Sequence, residues 1–147
     1  MGFPAQNSFR EEISLVHQQL LAVSAERAER AAREGGWSRK EILGHLIDSA
    51  LNNHQRFVRA ALDGFYEGPS YEQDGWVAMH GYRSMDWSTL LEHWRSQNDL
   101  LSEVVERIPD TRSDTACRVG DSNPVTLRFL VEDYLVHLVH HVKQILE

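Results

Sequence analysis

Apolar residues recur at helical spacing through four stretches of this chain, and that repeat leaves few folds open to it. Phe9, Ile13, Val16, Leu20 and Val23 mark the first stripe, spaced as one face of an α-helix requires. Ile42, Leu46, Ala50, Asn53 and Phe57 mark the second. Trp87, Leu90, Leu91, Trp94, Leu101, Val104 and Ile108 mark the third, and Leu127, Val131, Tyr134, Leu138, Val142 and Ile145 the fourth. Nothing alternates with period two over a useful length, so strands should be few. Helices with one apolar face each bury those faces most simply around a shared core. The expectation is an all-α, antiparallel four-helix bundle, with residues 1–147 as a single domain of ordinary size.

End signals divide the chain further. Ser8 and Glu11 form a candidate capping box for a first helix running from about Phe9 to Arg33, which Gly35-Gly36 stops. Ser38 and Glu41 make a second box, with Trp37 and Ile42 placed to staple it; that helix should end near Asp63-Gly64. Residues 65–85 are too many for a plain loop. A short extra helix is expected there, around Glu72 to His80, in an aromatic flap carrying Phe65, Tyr66, Tyr71, Trp76 and Tyr82. The third long helix should run from about Ser88 to Arg107, closed by Pro109. A polar, irregular stretch, 110–124, then leads to a fourth helix from near Thr126 to the end.

Charge and cysteine content narrow the class. Fifteen basic against 22 acidic residues give a formal net charge of −7. A general nucleic-acid binder needs a basic face, so no nucleic-acid partner is expected. No run approaches the ~20 apolar residues of a membrane span, so no membrane partner is expected either. The start, MGFPAQNSFREE, has no apolar core of signal-peptide length. Cys117 is the only cysteine, which excludes an intrachain disulfide and suits a reducing, cytoplasmic setting. It reads as an ordinary free thiol.

Eight histidines are the unusual feature. His137 and His141 stand at i and i+4 on the last helix, so their rings project from one face, at the edge of the apolar stripe. His140 points away. His45 borders the stripe of the second helix, and sites in bundles are built between facing helices. Three imidazoles from two helices could hold a divalent ion such as Zn²⁺ or Ni²⁺. The spacing alone equally allows half-buried core histidines with one hydrogen bond each. His-Glu-x-x-His and Glu-x-x-His are both absent, which excludes a zincin and a ferritin-like di-iron site.

The segment Trp37-Ser-Arg-Lys-Glu-Ile-Leu-Gly-His45-Leu-Ile-Asp48-Ser49 resembles the second-helix motif of the DinB/YfiT-like superfamily. The ending His137-Leu-Val-His-His141-Val-Lys-Gln144-Ile is similar to that family's last-helix motif, His-x-x-x-His-x-x-Gln. Tyr71-Glu-Gln-Asp-Gly-Trp76-Val-Ala resembles one branch of it. The resemblance implies a four-helix bundle, often a homodimer. It also implies that His45, His137 and His141 bind a divalent metal, usually nickel or zinc. One departure is Val142-Lys143, where many relatives carry Arg-Gly.

Three protein ligands leave coordination positions open, as in catalytic sites. A bound ion activates water or a thiolate, and the family resemblance implies hydrolases and transferases that use low-molecular-weight thiols. A metal-dependent enzyme of either kind, acting on a small-molecule substrate or thiol, is therefore expected. The alternatives are a noncatalytic bundle that binds metal or a small ligand, and a structural dimer whose histidines are only core. Ser49, Asn52 and Arg56 follow His45 along nearly one line and are candidates for substrate binding, with Arg56 gripping an anionic group. The bland alternative pairs Arg56 with a glutamate of a neighbouring helix. Asp48 and Asp133 lie one turn from His45 and His137; each could hold a ligand's second ring nitrogen or simply be solvated. No obvious general acid or base stands out, and His17, His54, His80 and His93 have no evident partner.

Overall fold

Local signals place most helix ends. In the computed structural model, which describes residues 6–147 and side chains from Phe9 onward, six helices form: α1 (Gln6–Leu21), α2 (Ala25–Ala28), α3 (Arg39–Asp63), α4 (Gln73–His80), α5 (Trp87–Arg107) and α6 (Leu127–Leu146). At α3 the capping box closes both ways: the Ser38 hydroxyl accepts from Glu41 N–H at 3.2 Å, and the Glu41 carboxylate accepts from Ser38 N–H at 2.9 Å. Gly64 ends that helix at φ +79°, a left-handed conformation that glycine adopts without strain. The Thr126 hydroxyl caps α6 by accepting from Phe129 N–H at 3.0 Å. The extra helix between the second and third long helices is α4, as expected.

The first helix departs from expectation: it stops at Leu21, not Arg33. Ser24 accepts from Arg27 N–H at 3.1 Å and so starts the separate turn α2. The Val23 carbonyl is then free to accept from Trp87 Nε1 at 3.1 Å, while the Val23 side chain stays buried. A serine that can cap competes with helix continuation. Ser8 falls inside α1, and its proposed cap contact lies outside the described residues.

The four long helices bury the four stripes. Phe9, Ile13, Leu20, Phe57, Trp94, Leu101, Val131 and Ile145 are all essentially without solvent contact. Each large apolar side chain so buried contributes roughly 1.5–3 kcal/mol. Both α1 and α3 pack against α5 and α6, so α1 and α3 are diagonal. Two adjacent pairs run antiparallel: Arg10 near the start of α1 meets Glu103 and Glu106 near the end of α5, and Arg39 at the start of α3 meets the end of α6. The neighbours α3 and α5 point the same way. Gly44 lies against Tyr82 just before α5, and Gly64 against Arg112 just after it.

A parallel pair of successive helices needs a connection that returns the length of the bundle. Residues 64–86 make that return along α3, with α4 packed on it. At the far end, short strands β1 (Tyr66–Gly68), β2 (Ala116–Val119) and β3 (Val125–Thr126) tie the two long connections together, in the order β1-β2-β3. β1 pairs parallel to β2, with Tyr66 opposite Cys117; β2 pairs antiparallel to β3, with Ala116 opposite Thr126. The stretch expected to be irregular therefore contributes to a sheet. Strands of two to four residues are too short to show an alternation in sequence. Of the flap aromatics, Tyr82 is buried and Phe65 stays 62% exposed.

Candidate metal centre

The antiparallel contact of α3 and α6 sets the second turn of one helix against the last turns of the other. Arg39 fastens this end: its Nε donates to the Ile145 carbonyl at 2.7 Å and its Nη2 to the Glu147 carbonyl at 2.5 Å. A cation on the last carbonyls of a helix satisfies otherwise orphaned acceptors. One turn further in, His45 projects from α3 and meets His137 and His141, which share a face of α6 through their i, i+4 spacing.

The three rings converge. His45 Nε2 and His137 Nε2 are 3.1 Å apart, and one ligand atom from each of the three histidines lies within 4.8 Å of the others. Two nitrogens bound tetrahedrally to one zinc ion at ~2.0–2.1 Å would be about 3.3 Å apart. His141 Nδ1 is 2.8 Å from Gln144 Oε1, so this nitrogen donates and leaves Nε2 as the lone-pair face. Such an outer partner selects the tautomer a metal ligand needs. His45 is fully buried, and its Nδ1 has no hydrogen-bond partner among the described residues.

Electrostatics keep the cluster neutral. Burial, then the proximity of His137 and His141, lowers His45 to about 3. Burial, then His141 and His140, lowers His137 to about 4. Burial also lowers His141, against the opposing pull of Gln144. Neutral imidazole is the form that binds metal, so the donor set fits a divalent ion.

Among the described residues, cavities open beside the cluster on two sides. One of about 180 Å³ is lined by His137 together with Ser49, Arg56, Tyr71 and Asp133. The other, about 390 Å³, is lined by His141, Gln144, Trp37 and the Gly35-Gly36 turn. The Trp37 ring also lies 5.2 Å from the His45 ring, centroid to centroid.

The other expected site residues divide. Ser49 and Arg56 share the smaller cavity with His137. Asn52 does not: its amide donates to the Asp48 carbonyl at 2.9 Å, and it lines a separate cavity of about 530 Å³ beside Arg59 and Trp76. Arg56 reaches that cavity as well, and it forms no ion pair with a glutamate among the described residues. Asp133 is exposed at the smaller cavity, and His137 has its ring contact with His45 and not, among the described residues, a hydrogen bond with Asp133.

Asp48 also differs from expectation. Three residues on from His45, it is turned about 60° away around the helix, toward α4 and Tyr82. There its Oδ1 accepts from the Tyr82 hydroxyl at 2.6 Å and lies 2.9 Å from His80 Nδ1. Burial raises the Asp48 pKa, while Tyr82 and His80 oppose the rise. This Asp48–Tyr82–His80 group was not legible in sequence. Its one local signal is an acid inside the otherwise apolar or small run Leu46-Ile47-Asp48-Ser49-Ala50. Cys117 is buried in β2, and burial pushes its thiol up to about 11, which makes it unreactive.

Residues 8–145 match the sequence model of one family, described as the DinB superfamily. This chain belongs to the DinB superfamily. Two relatives are provisionally named as metal-dependent hydrolases. One, from Oceanobacillus iheyensis, is 22% identical over 124 residues, which cover 84% of this chain and 71% of the relative. The other, YfiT of Bacillus subtilis, is 22% identical over 116 residues, covering 78% of this chain and 65% of its own length. The solved structure of YfiT, described as having an unusual four-helix bundle topology, superposes with a TM-score of 0.83 at 19% identity, over 95% of this chain and 83% of that one. The mycothiol-dependent maleylpyruvate isomerase superposes with a TM-score of 0.80 at 13% identity, over 99% of this chain but only 61% of the isomerase. At these identities the structural matches establish a shared fold.

Proposed function

We propose that this DinB-superfamily chain is a metal-dependent enzyme, a hydrolase or a transferase using a low-molecular-weight thiol, with one zinc or nickel ion on His45, His137 and His141. The carrying observation is the convergence of three neutral imidazoles beside a cavity large enough for a small molecule. When bound, the ion supplies a Lewis acid that makes hydroxide or thiolate available near neutral pH. The protein's part is to hold the three rings in register, through Gln144 on His141 and through Arg39 joining the two helices. Names given to the relatives support hydrolysis, and the isomerase supports thiol chemistry. The substrate is a small molecule, and the chain works as a homodimer in the cytoplasm. Family resemblance and the exposed Leu15 and Val136 support the dimer, which light scattering would check.

Metal analysis of protein purified without a His tag tests the centre. The untagged protein is expected to carry about one divalent ion per chain, and His45→Ala to lose it. Retention of metal by that variant overturns the ligand set. Hydrolysis of esters or amides, or turnover of thiol conjugates, that disappears with chelator and returns with metal supports the enzyme. A metal-loaded protein inert toward all three substrate types would instead be a noncatalytic binder.

A further inference from the structure

Arg56 is a buried cation without a buried anion. Its residue is only 8% exposed, yet no carboxylate lies within ion-pair distance among the described residues. Of the five N–H donors of a guanidinium, one makes a hydrogen bond among the described residues, from Nη2 to the Pro69 carbonyl at 3.3 Å. The Tyr71 ring lies beneath it, 6.0 Å from Cζ to the centroid. That contact steadies the charge but accepts none of the remaining protons. Buried charges are ordinarily paired, because desolvation is costly otherwise.

The same guanidinium lines the cavity that His137 lines. Arg56 follows His45 by eleven positions, which puts them about 16 Å apart along α3 and almost in line around it. At about 180 Å³ the shared cavity suits a small molecule and not a peptide or polymer. Asp133 also borders this cavity, but it is solvent-exposed and not in contact with Arg56.

We propose that Arg56 anchors a carboxylate on the substrate, so that the centre acts on small carboxylic acids presented with their other end toward the histidines. This rests on the metal reading above. The planar fork of Arg56 matches a carboxylate bidentately, and Tyr71 holds the fork in place from one side. The substrate class is thus a short-chain acid or a thiol conjugate of one, with the carboxylate distal to the reacting bond.

Zinc-loaded protein, its metal content measured first, is titrated by calorimetry with ω-mercaptoalkanoates of three to six carbons and with the matching ω-mercaptoamides. The thiol engages the metal end in both series; only the acids can engage Arg56. At least one chain length of the acid is expected to bind about tenfold more tightly than its amide or better, and Arg56→Met is expected to bring the two to parity. Equal affinity of acid and amide at every length in the wild-type protein overturns the proposal and leaves the metal centre standing. Persistence of the acid preference in Arg56→Met also overturns it. Absence of bound zinc removes the metal reading and this one with it. The wild-type comparison decides the matter even if Arg56→Met does not fold, and Arg56→Lys, which keeps the charge but not the fork, is expected to retain only part of the preference.

Discussion

Gln144 Oε1 lies 2.8 Å from Nδ1 of His141, one turn back on the same helix. The contact is local, and its consequence reaches across to α3: with Nδ1 protonated, Nε2 of His141 is left as the donor atom beside His45 and His137. Gln144→Ala removes the acceptor that selects this tautomer. Metal affinity is expected to fall about 10–100-fold, as for other outer partners of metal-bound histidine, with the helical circular dichroism unchanged. Competition against a chelator of known affinity gives the number; an unchanged affinity would mean that Gln144 has no part in orienting the ring.

Acid should weaken the metal-free protein. His45 and His137 have folded pKa values of about 3 and about 4, against an ordinary 6.5. The unfolded chain therefore binds protons more readily than the folded one below pH 6.5. The stability these neutral rings permit is complete above that pH and is lost as pH falls toward 4 and then 3. Thermal melts in chelator are expected to show a lower Tm at pH 5 than at pH 7.5, with a smaller difference in His45→Ala. A flat profile would contradict the burial of these rings in neutral form.

Tyr82→Phe removes one of the two partners of a fully buried carboxylate oxygen. Asp48 Oδ1 then keeps only His80, while Oδ2 already has no partner among the described residues. Loss of a hydrogen-bond partner by a buried carboxyl group costs about 1–3 kcal/mol. Urea denaturation should report a fall of that size. A change below about 0.5 kcal/mol would place the Tyr82 hydroxyl outside the network.

Gly44 should not tolerate the mildest helical substitution. In an ordinary helix interior Gly→Ala stabilises by roughly 0.5–1 kcal/mol. Here an added Cβ would sit 2.0 Å from Cδ2 of the Tyr82 ring, which is itself buried. Gly44→Ala is expected to destabilise by about 1–3 kcal/mol, and to loosen the seating of Tyr82 on Asp48. Denaturation with a gain in stability would show that the ring moves aside freely.

Much of this protein is written in short-range pattern. The apolar stripes name the four long helices because a helix presents every third or fourth residue to one side. Ser38, Gly64 and Thr126 mark ends because each satisfies or relaxes backbone within a few residues of itself. The His137–His141 pair is likewise visible, since one turn of helix alone puts both rings on one face. What lay beyond that range was decided by tertiary structure. The local Ser24 cap lets α1 stop at Leu21, but that the Val23 carbonyl so released meets Trp87, 64 residues on, comes from the packing. Asp48 turns from the histidines to Tyr82 and His80 because the returning connection lays those side chains against α3. His45 joins the cluster, and Arg56 is buried without a counter-ion among the described residues, only once α3 and α6 are packed against each other. Spacing along the chain determines which way a side chain leaves its own helix. It carries no information about what the neighbouring helix brings to meet it, and the chemistry of this centre depends on that meeting.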